Sequence, residues 1–343
     1  MLDFSGPTNY LGPSPKAVEI IKQHARLIKF YPDPNPVELK TEIAKYVGQG
    51  VDAANIILGN GSIELIYLIS GVFSCNFKAV IPVPSFTEYE KAALRAGGEP
   101  VFVQLPENFA LETASVKKSI TDDTRIVCIC NPHSPSGTLY RRETVLDLVD
   151  FCQKRDVILS VDENYIEFTG KAQDTTMAGY VKKYENLFVI RSVTKFYGMP
   201  GIRFGYGIAA ERLIDTIQVD RQPWSINSLA GFATIAAFKD TEFIENTKRT
   251  IAKERVHFAK MLGEIGDLYV FPSETNFLLV KILNPNLTST MLKEQMAKEG
   301  ILIRDCSTFV GLDDSFFRVT VRSSRENWEL IKTLRDVLKK KHN

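Results

Sequence analysis

RSVTKFYGMPGIRFGY, residues 191–206, joins an apolar run on its left to another on its right through a loop rich in Gly and Pro. Packing alone does not call for Ser192, Lys195, two glycines and Arg203 in that order. The neighbours of Lys195 are apolar and aromatic, and burial among them favours a neutral amine able to condense with an aldehyde. Eight residues later, Arg203 is a fixed cation suited to a phosphate dianion, and Ser192 adds a hydroxyl donor. Either cation alone would read as a solvated loop residue. Together, between two buried strands, they read as a site.

The flanking runs LFVIRS (187–192) and FGYGIA (204–209) belong to a longer series: IILG (56–59), AVIPVP (79–84), VFVQL (101–105), RIVCIC (125–130) and VILSVD (157–162). Short runs that are apolar on both faces and alternate with helical patterns predict an α/β fold with a mostly parallel sheet covered on both sides. Beyond Asn227 come a long helical stretch, then FLLVKI (277–282), ILIRDC (301–306) and FFRVTV (316–321), then a terminal helix, which reads as a smaller α+β domain. The expected division is a large cofactor-binding domain over 30–235 and a small domain made of 1–29 and 236–343. A chain of 343 residues suits two such cores.

Hydrophobic residues at 44% and charged residues at 24% are the balance of a globular protein, and a formal charge of +1 offers no footprint for nucleic acid or an anionic membrane. The five cysteines are odd in number and scattered, which predicts reduced thiols and a cytoplasmic location. Cys128 and Cys130 would share one face of a strand, but nothing completes a metal set, so no metal is expected. The N-terminus MLDFSGPTNYLG shows no secretory pattern, and no segment has the length of a membrane span.

Moving outward from Lys195, VDENY places Asp162 at the end of a buried strand, where a carboxylate needs a cation or a donor. A protonated pyridine nitrogen would serve; so would the backbone of the next turn. Tyr165, three residues on, is a phenol able to donate to a ring oxygen. In LGNGSIELI (58–66), Gly59 and Gly61 let the backbone approach an anion, and the amides of Ser62 and Ile63 open a helix. Phe86 of VPSFTEY follows a strand and could stack on a cofactor or join the core. Arg304 and Arg318 interrupt apolar runs, and an inward arginine there must find an anion, whether a substrate group or a structural carboxylate. Arg322 and Arg325 look solvated by comparison, although Arg322 is close enough in sequence to reach the same mouth.

In this order, the glycine loop, the aromatic, NPHSPSG, VDENY, SVTK with Arg203 and FRVTV resemble the class I/II aminotransferases of fold type I, which work with pyridoxal 5′-phosphate. Within that group the chain is similar to histidinol-phosphate aminotransferases and, more closely, to threonine-phosphate decarboxylases of the cobalamin pathway, through LDFSGPTNYLG, KFYPDP, QPWSIN and LIRDCSTFVGLDDSFFRVTVRSS. The resemblance implies Lys195 as covalent anchor and proton shuttle, Asp162 on the pyridine nitrogen and Tyr165 on the phenolic oxygen. It implies Ser62, Ile63, Ser192 and Arg203 on the cofactor phosphate, with Phe86 stacked on the ring. Tyr31 of KFYPDP would come from the partner of a homodimer with shared sites, and Arg304 and Arg318 would hold substrate anions. Ser134 stands where the family has asparagine before Pro-Thr-Gly, and Pro7 where relatives more often carry asparagine. The N-terminal arm that precedes LDFS in many relatives is absent from this sequence. The expected reaction is decarboxylation of O-phosphothreonine or O-phosphoserine to an amino-alcohol phosphate; the alternative is transamination of histidinol phosphate with 2-oxoglutarate.

Overall fold

The computed structural model describes residues 1–73 and 75–339. Its strands, in chain order, are β1 (Leu2–Asp3), β2 (Ile56–Gly59), β3 (Lys78–Val83), β4 (Glu99–Gln104), β5 (Thr124–Cys130), β6 (Ile158–Asp162) and β7 (Leu187–Ser192). They continue as β8 (Gly205–Ala209), β9 (Leu268–Val270), β10 (Phe277–Ile282), β11 (Ile301–Leu302), β12 (Arg304–Asp305) and β13 (Phe316–Thr320). Seven form one sheet in the order β2-β8-β7-β6-β5-β3-β4. Each pairing from β4 to β7 is parallel, while β8 runs antiparallel to both β7 and β2.

Alternation along these strands sends neighbouring residues into different cores. Ile57, Ile81, Ile126 and Phe188 meet Leu65, Ile69, Tyr89 and Ala92 of the helices Ser62–Gly71 and Glu88–Arg95. Leu58, Val80, Val127 and Val189 meet Leu39, Ile43, Val145 and Leu148 of the helices Val37–Val47 and Arg142–Gln153. The sheet is therefore covered on both faces, the arrangement expected from unbroken apolar runs. Cys128 and Cys130, expected on one face, divide between the two cores. The strand ends at Cys130, whose thiol turns toward Pro132 O at 3.1 Å.

A second, antiparallel sheet runs β12-β13-β10-β9, and β1 pairs in parallel with β11. The run ILIRDC is not one strand. It breaks at Ile303, β11 serving the N-terminal pair and β12 the four-stranded sheet. Phe4 packs into this second core with Phe258, Leu262, Phe317 and Leu330. Ala17 and Phe243 join the large-sheet core, and the helix Thr241–Gly263 feeds both cores, with Ile251 in one and Phe258 in the other. Among the described residues no helix is long and apolar enough to cross a membrane.

Candidate active site

In an open α/β sheet the cleft lies beyond the carboxyl ends of the parallel strands, and here those ends carry the chemistry. Gly205 at the start of β8 faces Ser192 at the end of β7 and Gly59 at the end of β2. That register brings the loop after β2, the helix start at Ser62 and the Lys195 loop to one level. The approach is close. A Cβ on Gly205 would lie 2.5 Å from the Ser62 amide nitrogen, and one on Gly61, at φ +78°, 2.5 Å from Arg203 Nη2. Arg203 takes left-handed backbone (φ 57°) and donates Nη1 to Pro200 O at 2.9 Å, which lays its guanidinium over the glycine loop. The Ser62 and Ile63 amides are the first of their helix, with Gly61 as a cap that offers no side chain. Positive dipole, free N–H groups and a fixed cation make an anion cradle.

Asp162 ends β6 on the face that looks toward the helix Glu88–Arg95, and Tyr89 of that helix donates its hydroxyl to Asp162 Oδ2 at 2.8 Å. The other oxygen, Oδ1, accepts the Asn164 amide at 2.9 Å, so the aspartate does secure the next turn. Burial lifts its carboxyl to about 6, against the pull of Asn164, Tyr89 and Lys195. Asn164 Nδ2 donates to Ser62 Oγ at 2.9 Å, tying the aspartate's loop to the anion cradle. Lys195, half-buried three residues beyond β7, has its pKa lowered to about 8, by burial first and then by Arg318 against the attraction of Asp162. At neutral pH an appreciable fraction of a neutral amine is thereby available.

Tyr165 is buried edge-on to Phe277, centroids 5.1 Å apart, and lies in hydrogen-bonding contact with Ser134; burial raises its phenol. Arg318 is buried above the Phe277 ring at 4.9 Å and donates to Ser134 Oγ at 3.3 Å and to Ser5 O at 3.5 Å, while its Nε has no partner. Ser134 thus links Arg318 and Tyr165. Arg304 is paired residue for residue with Arg318 across β12 and β13; it is half-buried, stacked at 5.3 Å over Phe309, with one bond to Thr308 Oγ1 at 3.3 Å. Neither arginine has a carboxylate within salt-bridge reach among the described residues. Phe86 is 39% exposed and edge-on to Tyr89, centroids 5.8 Å apart, so it is not a core residue.

Tyr31 and Arg322 lie apart from this cluster. Tyr31 makes none of these contacts within its own chain; it is 85% exposed, its ring 5.5 Å from Trp224. Arg322 does not reach the mouth, because Glu326 holds it at 2.7 Å and Asp3 O takes its Nη1 at 3.0 Å. Tyr89, Asn164, Asn9 and the Ser5 carbonyl were not singled out by the sequence. Tyr89 had a signal, since it lies one helical turn past Phe86; the others act through backbone geometry that sequence does not print. A crevice of about 1230 Å³ elsewhere, between Phe109, Tyr140, Phe271 and Phe316, holds none of the residues above.

Residues 3–334 match the model of the family described as aminotransferase class I and II. The chain belongs to that family. It is therefore a pyridoxal-phosphate-dependent enzyme of fold type I. It is 39% identical over 329 residues, 95% of this chain and 88% of the relative, to a protein of Caldanaerobacter subterraneus subsp. tengcongensis named provisionally as a threonine-phosphate decarboxylase. Among solved structures it is similar to the histidinol-phosphate aminotransferase of Clostridium acetobutylicum, with TM-score 0.91, 36% identity and coverage of 98% and 99% of the two chains. It is also similar to the L-threonine-O-3-phosphate decarboxylase of Porphyromonas gingivalis, with TM-score 0.88, 27% identity and coverage of 99% and 100%. The residues present fit the cofactor: a cradle that a Cβ at Gly61 would fill, a buried carboxylate between two donors, and a lysine of depressed basicity.

Proposed function

We propose that this chain decarboxylates an O-phosphorylated amino acid, O-phosphothreonine or O-phosphoserine, to the amino-alcohol phosphate that the resemblance links to cobalamin. The carrying observation is the pairing of Arg304 directly opposite Arg318 on adjacent strands, with no carboxylate partner for either among the described residues. Like charges in that position repel, and a substrate phosphate gripped by both arginines offsets the repulsion. The phosphoamino acids carry that phosphate and, beside it, the carboxylate that the reaction removes.

Bound pyridoxal phosphate would supply the electron sink for the bond that breaks at Cα. The protein's part is placement. Arg203, Ser192 and the amides of Ser62 and Ile63 hold the cofactor phosphate. Asp162, kept in place by Tyr89, faces the pyridine nitrogen. Tyr165, with Ser134 beside it, addresses the phenolic oxygen, and Phe86 covers the ring. Lys195 would be the anchor, and its amine would carry a proton to Cα. With both arginines on the substrate phosphate, the carboxylate would be left without a cation and free to leave as carbon dioxide; with Arg318 on the carboxylate, that group would be held and the α-proton would leave instead, as transamination requires. The second reading, histidinol-phosphate aminotransferase, draws on the 36% identical structure. Purified holoenzyme incubated with each phosphoamino acid is expected to release carbon dioxide without 2-oxoglutarate. Rapid 2-oxoglutarate-dependent transfer from histidinol phosphate, with no carbon dioxide from either phosphoamino acid, would replace this proposal with the aminotransferase.

A further inference from the structure

We propose that Asn9 is a positioning residue for Lys195, holding the two successive carbonyls that follow the lysine's Cα, its own and that of Phe196, so that its amine stands at a fixed place in the cleft. The inference rests on Lys195 being the cofactor's anchor. The loop between β7 and β8 holds its own apex by long bonds: Val193 N to Phe204 O at 3.3 Å, Gly198 N to Lys195 O at 3.4 Å and Met199 N to Val193 O at 3.3 Å. Asn9 adds two shorter ones from outside the loop. Its backbone amide donates to Lys195 O at 3.0 Å, and its Nδ2 donates to Phe196 O at 2.9 Å.

Asn9 is only 3% exposed, and its side chain is fully used: Nδ2 also reaches Thr247 Oγ1 at 3.3 Å, and Oδ1 accepts the Leu11 amide at 3.1 Å. Three residues on, Gly12 O packs so tightly on Gly198 that a Cβ there would overlap it. The same N-terminal strap begins as β1 beside β11 and passes Ser5 O beneath Arg318 Nη2 at 3.5 Å. The strap therefore touches both the substrate-side arginine and the lysine, and Asn9 is its contact with the lysine. A clamp on two successive carbonyls just after the Lys195 Cα restrains the backbone there and with it the direction of the Cα–Cβ bond, which is what a four-carbon side chain needs to present its amine reproducibly.

The test compares the full-length parent with Asn9→Ala, with Asn9→Asp, which keeps the size but turns an oxygen toward Phe196 O, and with Thr247→Val, which cuts only the bond to the long helix. In protein stripped of cofactor, the pH midpoint for acylation of Lys195 by acetic anhydride is read by mass spectrometry. Both Asn9 variants are expected to move that midpoint by about half a pH unit or more toward an ordinary lysine. In loaded enzyme they are expected to lower kcat about tenfold with KM little changed. Thr247→Val should lower the thermal midpoint and leave the Lys195 titration where it was. Asn9 variants that fold and keep the parent's acylation midpoint and kcat would overturn the proposal, as would a Thr247→Val that shifts the titration equally. If Asn9→Ala does not fold, Asn9→Asp decides. Borohydride that fixes the cofactor of the parent to a different lysine would reject the anchor itself, a separate result.

Discussion

Lys195 sits where its charge is poorly solvated, and the fold bears that burden before any cofactor arrives. Burial, Arg318 and Arg203 together lower its pKa from 10.5 to about 8. A lysine with a folded pKa below its unfolded one binds its proton more weakly when folded, so the destabilisation is complete below about 8 and vanishes as pH rises through 10.5. Apoprotein carrying Lys195→Met is expected to exceed the parent in stability by about 2 kcal/mol near neutral pH, the gap closing in alkali. Urea midpoints across a pH series check this, and a gap independent of pH would attribute it to packing. Asp162 has the opposite shift, up to about 6 through burial, with Tyr89 among the groups holding it down. Tyr89→Phe removes a donor to the ionised form, so in apoprotein the carboxyl's own titration, followed by infrared spectroscopy, is expected to move upward by about one pH unit. An unmoved titration would mean that Asp162 does not feel the hydroxyl.

At the scale of strands and helices, the large sheet was readable because parallel strands covered on both faces are apolar without interruption. The runs at 56–59 and 187–192 coincide with β2 and β7, and the others fall within two residues of their strands. β1 and β9, of two and three residues, are too short to carry a pattern, and ILIRDC hid a change of partner because hydrophobicity does not say which sheet a residue joins. The residues expected on the cofactor side lie at or just beyond strand ends and at a helix start, where motifs are local in sequence; Asn9 carried no such signal, because its partners lie far away along the chain. The Arg304–Arg318 pairing was equally invisible until the register of β12 and β13 placed them side by side. Arg304→Ala and Arg318→Ala are each expected to weaken phosphoamino acid binding by about ten- to a hundredfold, equivalent to about 1.5–3 kcal/mol for a charge-assisted contact. Pyridoxal phosphate binding should change little, because Arg203 and the glycine loop hold it. Equal losses for both ligands, measured by absorbance titration, would place the arginines on the cofactor instead.

For the whole molecule, the decisive feature is apolar surface in the wrong place for a monomer. Ile28, Phe30, Tyr31 and Val37 are 75%, 60%, 85% and 56% exposed, and Val219 and Trp224 are 83% and 51% exposed. Tyr31 packs on Trp224, and a groove of about 640 Å³ runs beside them between Phe30, Pro32, Ile226 and Phe232. Soluble chains seldom leave so many large side chains in water unless another surface covers them, and a two-fold dimer is the commonest closed solution. The proposal is a homodimer in which Tyr31 completes the partner's cleft, since it reaches nothing in its own. Mixing separates this from a dimer of independent sites. Tyr31→Phe and Lys195→Ala chains, each of low activity alone, are co-expressed and the mixed dimer is isolated with two different affinity tags. If the sites are shared, both lesions fall in one cleft and the other cleft is intact, so about half the parent's activity returns, as the two-fold operator requires. If each chain serves only itself, every cleft keeps one lesion, and the mixed dimer is no more active than the average of its parents.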